Sequence, residues 1–286
     1  MAVPVAPVSL VTAPRLALAM LADQPDDAVP LAQAALWLAA LDHPGKGLDT
    51  YTDHLQALVD ALRDRLQASP AETAADRASA LSAVLATDWG YQGDVETYED
   101  LQNADLMRVI DRRRGLPVSL GILYLHVARA QGWDAHGLNF PGHFLIRLDG
   151  EAGDRAIIDP FHGGPALSVA DLRSLLKAMT GQAAELTPDM YAPLSNRAVL
   201  IRLQSNIKMR LLDGGMLDAA GEILQRMLLF APQDYRLWRE NGLLYMRRGN
   251  LESALDSLET YLTLAPDGDD RTRIAQVMAE LRQRLQ

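Results

Sequence analysis

The sequence predicts an α+β fold: a helical N-terminal part, a core with a small antiparallel sheet, and an all-α tail. Three observations carry this. Apolar residues recur at spacings of three and four from about Asp26 to Leu106, short strand-like runs follow between 135 and 159, and helical spacing returns from 197 with an internal repeat. These shifts place boundaries at 1–103 for the N-terminal helices packed on the core, 104–190 for the core, and 197–286 for the tail.

The N-terminal helices show in Leu31, Ala34, Ala35, Leu38 and again in Leu55, Leu58, Val59, Leu62. Pro44-Gly45 and Ser69-Pro70 break them. Ala80 to Leu85 supplies another apolar face before the turn-like run Trp89 to Gly93. In the core, Ala104 to Arg114 reads as a helix stopped by Gly115. Pro117 then suits the first position of a new helix, where its missing N–H costs nothing. That helix runs to about Gln131 and closes at Gly132, with Leu120, Leu123, Tyr124, Val127 and Ala128 forming a buried face. Ala135 to Phe140, His143 to Leu148 and Arg155 to Asp159 read as strands, parted by Pro141-Gly142 and the Gly150 to Asp154 turn.

The tail repeats itself. Gly215, Leu217, Ala220, Leu224, Ala231 and Pro232 recur as Gly249, Leu251, Ala254, Leu258, Ala265 and Pro266, each 34 residues on. That is the tetratricopeptide (TPR) period, and Trp238, Gly242 and Tyr245 stand where its consensus expects them. Small residues at 220 and 254 let paired helices approach, each proline ends a repeat, and Asp269 to Leu285 reads as a capping helix. Trp238 and Tyr245 are expected in the core. The tail either docks as a structural extension or offers a concave face to a protein or peptide partner, and the second reading is preferred.

Composition narrows the chemistry. Apolar residues at 49% and charged residues at 22% describe a folded globular chain. There is no cysteine, which excludes disulfides, zinc–thiolate sites and every cysteine-nucleophile mechanism. A net charge of −10 disfavours nucleic acid and anionic membranes. Met1 to Met20 is apolar but interrupted by prolines 4, 7 and 14 and by Arg15, unlike a leader peptide. No stretch approaches the ~18 apolar residues of a membrane span. The expectation is a cytoplasmic protein.

A histidine opening one strand (His143) and an aspartate ending the next (Asp159) can meet side by side in an antiparallel sheet. The carboxylate would fix the imidazole tautomer and stabilise its cation, as in an acid–base dyad. A nearby helix N-terminus supplies N–H groups for developing negative charge. The third member of such a set is a nucleophile at that helix start.

The stretches Arg112-Arg113-Arg114-Gly115-Leu116-Pro117-Val118-Ser119-Leu120, Asn139-Phe140-Pro141-Gly142-His143-Phe144 and Asp159-Pro160-Phe161 resemble the transglutaminase-like (papain-like) fold, and within it the bacterial SirB-type proteins, which also carry a TPR-like C-terminal region. The resemblance covers about 90 to 165 clearly, then the tail, and the N-terminal helices loosely. It implies a Cys-His-Asp triad, with His143 and Asp159 matching the last two members. Counting back fifteen from Gly132, where the superfamily places its cysteine, gives Pro117, which has no nucleophilic atom. Ser119 is two positions later, which turns its side chain ~200° around the helix.

Two functional readings follow. In one, the protein is a non-catalytic pseudoenzyme that binds a protein through its TPR tail and keeps a pocket lined by His143, Asp159, Arg114, Asn139, Phe140, Gly142 and Phe161. In the other, Ser119, His143 and Asp159 serve a hydrolase or acyltransferase, with a water-activating His143 as a weaker variant. The plain roles stand beside these: Ser119 satisfying a free N–H at the helix start, His143–Asp159 as a bond fixing two strands, and arginines 112 to 114 as a solvated helix end. The six histidines (43, 54, 126, 136, 143, 162) show no HxxxH or HxH spacing, so neither a metal nor a cofactor is expected.

Overall fold

The computed structural model describes residues 12–285 and contains two compact units, Asp26–Leu203 and the combination of Met1–Pro25 with Gln204–Gln286. Residues 1–11 of the apolar N-terminal stretch lie outside the described residues; its remainder forms α1 (Thr12–Met20), which belongs to the second unit. No helix among the described residues is long and apolar enough to cross a membrane.

The Asp26–Leu203 unit is built around one helix. After α2 (Leu31–Ala40), α3 (Asp49–Ala68) and α4 (Ala74–Ser82) come the wide turns of Ala83–Asp88, β1 (Gln92–Gly93), a short 3-10 turn, α5 (Leu106–Arg112) and β2 (Arg114–Gly115). Then α6 (Pro117–Ala130) begins on its proline and buries nearly every side, from Pro117 to Leu125 without a gap. A helix apolar all round needs neighbours all round. It finds them in α2, α3, α5, β3 (Asp134–Gly137) and the 3-10 turn Pro160–His162. The helices upstream of residue 104 therefore share one core with the residues downstream.

Helix ends follow local chemistry. Ser69 leaves α3 in an extended conformation (φ −147°), as the residue before a proline prefers. Thr73 and Asp76 close a capping box on α4. The expected helix up to Gly115 is corrected: α5 stops at Arg112, because Arg113 turns left-handed at φ 57°. Its guanidinium lies over the Trp89 and Tyr91 rings and bonds His54 and the Tyr91 hydroxyl. Released from the helix, Arg114 and Gly115 pair in parallel with Gln92 and Gly93, so the run expected to be a turn ends in a short strand.

β3, β4 (Ile146–Asp149) and β5 (Arg155–Ile158) form an antiparallel meander in that order, the small sheet that was expected. They are shorter than predicted. Leu138 N–H still reaches Leu145 O (2.9 Å), but Asn139 turns to Ala192 O instead, so residues 139 to 143 leave the ladder. Helix α7 (Val169–Thr180) then lays Leu172 and Leu176 over Leu138, Phe140 and Leu145.

His54 supplies a pH test of this packing. Its burial, and after that the Arg113 charge, depress its pKa to about 4, with Asp111 opposing. Unfolded histidine titrates near ~6.5. The stability that follows from keeping His54 neutral is complete above that value and is lost as pH falls toward 4. His54→Gln is expected to flatten the fall of the urea midpoint across this range. An unchanged slope would assign the fall to another group.

In the second unit, α8 (Asn196–Asp213), which spans the division, is followed by α9 (Leu217–Phe230), α10 (Tyr235–Arg247), α11 (Leu251–Leu264) and α12 (Asp269–Leu285). The repeat is visible in the backbone: Gly215 and Gly249 both take positive φ (72° and 75°) at the end of a helix, and Ala220 and Ala254 are both fully buried. Trp238 donates to Pro232 O at 2.7 Å, tying one repeat to the next. Ile274, Met278 and Leu281 of α12 close the cluster of Ala254, Leu258 and Tyr261, against which Trp238 and Tyr245 pack half-buried. α1 packs on α9.

Candidate functional site

The site forms where two loops meet between the ends of the sheet and α6. The first loop leaves β3, reverses at Pro141-Gly142 with Gly142 at φ 69°, and delivers His143. His143 therefore lies in the loop before β4 and does not open the strand, contrary to expectation. The cause is distant in sequence: Arg202 donates to Phe140 O (3.1 Å) and to His143 O (2.6 Å), holding both ends of the turn. That guanidinium also lies over the Phe144 ring.

The second loop begins at Asp159, directly after β5. Its Oδ1 accepts the Phe161 N–H at 3.0 Å and caps the Pro160–His162 turn. The same oxygen lies 2.9 Å from His143 Nε2, and Oδ2 lies 2.7 Å from His162 Nδ1. Asp159 is 2% exposed and His143 6%. Burial raises the Asp159 pKa, but the bonds and charges of His143 and then His162 outweigh it and hold the carboxyl below its ordinary range. The two imidazoles are nearly parallel at 26°, their centroids 6.1 Å apart. Phe161 meets the His143 ring edge-on and is met in turn by Tyr98. Glycine at 93 makes room for it, since a Cβ there would stand 2.5 Å from the Phe161 ring.

The nucleophile candidates fall elsewhere. Pro117 is the first residue of α6. Ser119 is fully buried, and its single Oγ proton is shared between Asn103 O (2.7 Å) and Leu116 O (3.0 Å). It thus ties the helix start to the preceding turn through carbonyls, not through the free N–H that sequence reading suggested. Its described bonds do not include His143.

Of the other predicted pocket residues, Phe161 lies against the imidazole. Phe140 turns its ring into the core and offers only its carbonyl, to Arg202. Asn139 and Gly142 are exposed on the turn, and Arg114 is exposed on β2 with no described contact to the pair. Arg112 bonds Asp94 and Asn103 and serves the fold.

Sequence reading missed four members of the neighbourhood: His162, Tyr98, Arg202 and, as a polar group, Tyr124. The Tyr124 hydroxyl is buried on α6 with no hydrogen-bond partner among the described residues, and burial and then the Asp159 charge raise its pKa. Only His162 left a local trace, as the third residue after Asp159. A cavity of about 600 Å³ lies elsewhere in the unit, lined among others by Asp27, Asp53, His126 and Arg129, and contains no member of the pair.

A buried imidazole fixed by a carboxylate, at the end of a small sheet and beside a buried helix, matches the comparison with protein families. Residues 49–205 match the model described as "Transglutaminase-like superfamily", and residues 207–279 match "Tetratricopeptide repeat". The chain belongs to the transglutaminase-like superfamily and carries TPR helices behind that domain. More particularly, it belongs with the bacterial UPF0162 proteins. It is 31% identical to a UPF0162 protein of Xylella fastidiosa (strain Temecula1 / ATCC 700964), covering 86% of this chain and 88% of that one. It is 27% identical to UPF0162 protein YchA of Escherichia coli (strain K12), over 77% and 80% of the two chains. Among solved structures, a crystal structure of menin is similar over 97% of this chain and 75% of its own, at 12% identity and a TM-score of 0.41, too loose to assign a fold.

Proposed function

We propose that this protein is a non-catalytic member of its superfamily that works by protein–protein interaction in the cytoplasm. In this reading the segment 104–190 keeps the His143–Asp159 pocket as a ligand site and the segment 197–286 binds a protein or peptide. The observation that carries the reading is the retained pair without an attacking atom: the chain has no cysteine, the helix opens on Pro117, and the Ser119 hydroxyl is committed to two carbonyls. Nothing observed favours the serine hydrolase, whose nucleophile must lie within ~3 Å of its base.

For the tail, a groove of about 220 Å³ lined by Met209, Leu212, Leu224, Leu243 and Leu244 supports the interaction role. Lys208 and Glu240 are paired across it and Arg247 stands at its wall, so an apolar segment with a negative charge suits it.

Two measurements test the reading. A fluorophosphonate probe is expected to leave the protein unlabelled, and Ser119→Ala to change nothing but stability, by about 1 kcal/mol for one lost hydrogen bond. Labelling that disappears in Ser119→Ala would revive the hydrolase. Partners captured from cells by the full chain are expected to be lost with Met209→Arg, at an exposed position of the groove wall. Identical capture by both proteins would remove the interaction role from this groove.

A further inference from the structure

We propose that His143, Asp159 and His162 form a binding site for one divalent transition-metal ion of the zinc class, held by two imidazoles and one carboxylate. The inference rests on reading the pocket as a ligand site and names its ligand. It departs from the expectation of no metal, which looked for histidines at helical or strand spacing.

The three side chains bring one ring nitrogen of His143, one of His162 and a carboxylate oxygen of Asp159 within 4.8 Å of one another. A tetrahedral ion with bonds of ~2.0–2.1 Å separates its ligand atoms by roughly 3.3 Å. The nitrogen–oxygen separations, 2.9 Å from His143 to Oδ1 and 2.7 Å from His162 to Oδ2, run to the two oxygens of one carboxylate, so seating the ion requires the exposed His162 ring to swing until both nitrogens and one oxygen face it. The parts differ in freedom. His143 is fixed through its carbonyl by Arg202, and Asp159 by the Phe161 N–H, while the His162 side chain is 59% exposed on a short turn. The buried pair is preformed, and His162 closes on the ion from the solvent side, where a remaining position stays open to water.

The charge also fits. Asp159 is a buried carboxylate whose described partners are two imidazoles and one backbone N–H, with no arginine or lysine among them. Two neutral imidazoles and one carboxylate are a common donor set for zinc and its neighbours. On binding, the proton that each ring nitrogen directs at Asp159 moves to that ring's other nitrogen, which frees a lone pair for the metal, and any second proton on a ring is released to solvent. The unpartnered Tyr124 hydroxyl beside Asp159 is a buried polar atom that a metal-bound water would satisfy.

A second group, Asp134, His136 and Asp149, meets the same distance test and serves as the contrast. There Asp149 already pairs with Arg147 (2.8 Å) and Arg155 (2.9 Å), so the carboxylate is neutralised and the cations repel an ion.

The test uses the full chain, stripped with a chelator and dialysed, then titrated with Co²⁺ while its visible d–d absorption is followed, with Zn²⁺ as competitor. One equivalent is expected to bind and to be displaced by zinc. His162→Asn, at an exposed position that leaves the fold intact by circular dichroism, is expected to weaken binding by roughly 100-fold or more, the upper end of what losing even an outer-shell partner costs. His136→Asn is expected to bind as the unaltered protein does. Absence of saturable binding, equal binding by His162→Asn, or loss in His136→Asn instead would each overturn the proposal. None of these outcomes touches the probe-labelling and partner-capture results, so the failure of this site and of the non-catalytic reading are distinguishable.

Discussion

Gly121→Ala is expected to destabilise the Asp26–Leu203 unit by about 2 kcal/mol, although alanine is the better helix former by about 1 kcal/mol. Gly121 sits in the middle of α6, and a Cβ there would fall 2.6 Å from Cδ1 of Phe144, well inside contact distance. The ring cannot step aside. On its other side a Cβ at Gly137 would stand 2.6 Å from the Phe144 Cζ, so the aromatic is wedged between two glycines of different elements. Phe144 is 1% exposed and Arg202 covers its face. Forcing an extra carbon into so tight a contact costs about 1–3 kcal/mol or more, which exceeds the propensity gain. Urea unfolding of Gly121→Ala and of Gly121→Ala with Phe144→Leu would check this. The double variant is expected to recover part of the loss, because the smaller side chain vacates the space the methyl needs. A Gly121→Ala protein more stable than the parent would show that the ring has room to move. The same wedge sets the residue after His143, so the variant should also loosen the imidazole's bond to Asp159.

The sequence was most legible where structure is set locally. The 34-residue offset revealed the TPR tail, because a glycine that must take positive φ and an alanine that must be small are demands made within a few residues. Pro117 announced its helix for the same reason. The motif around His143 and Asp159 named two residues that the fold brings to 2.9 Å, although the histidine sits in a loop and not on a strand. Its turn is shaped by Arg202, whose side chain comes from 59 residues away. No local pattern carries that information. The end of α5 was misread for a related reason: an arginine takes a left-handed conformation only because Trp89, Tyr91 and His54 hold its side chain, and glycine two residues later looked like the natural stop. His162 was passed over because spacing searches assume that ligands share one regular element. Here the three side chains come from two loops, and the link between them is a carboxylate that bonds both rings.

Removing that carboxylate is expected to have the largest effect at the site, with Asp159→Ala costing about 3 kcal/mol. The number follows from what is left behind. His143 is 6% exposed and would lose its described side-chain partner, and the Phe161 N–H would lose the oxygen that caps its turn. Each buried donor without an acceptor costs about 1–3 kcal/mol. His162 adds little, since its side chain is 59% exposed and water replaces the bond. Asp159→Asn should cost less, because its amide oxygen can still accept from Phe161 while its NH₂ faces a ring nitrogen that must change tautomer. The difference between parent and Asp159→Ala should also depend on pH in a defined direction. The folded carboxyl is held below its ordinary value, so its contribution is complete above the unfolded pKa of ~3.9 and fades as pH falls through the lower folded value. Urea midpoints measured near neutrality and again below ~3.9 are therefore expected to converge in acid, provided both proteins remain folded there. A gap that stays constant would mean that the aspartate stabilises by packing alone, and the two histidines would then owe their positions to the loops rather than to the charge between them.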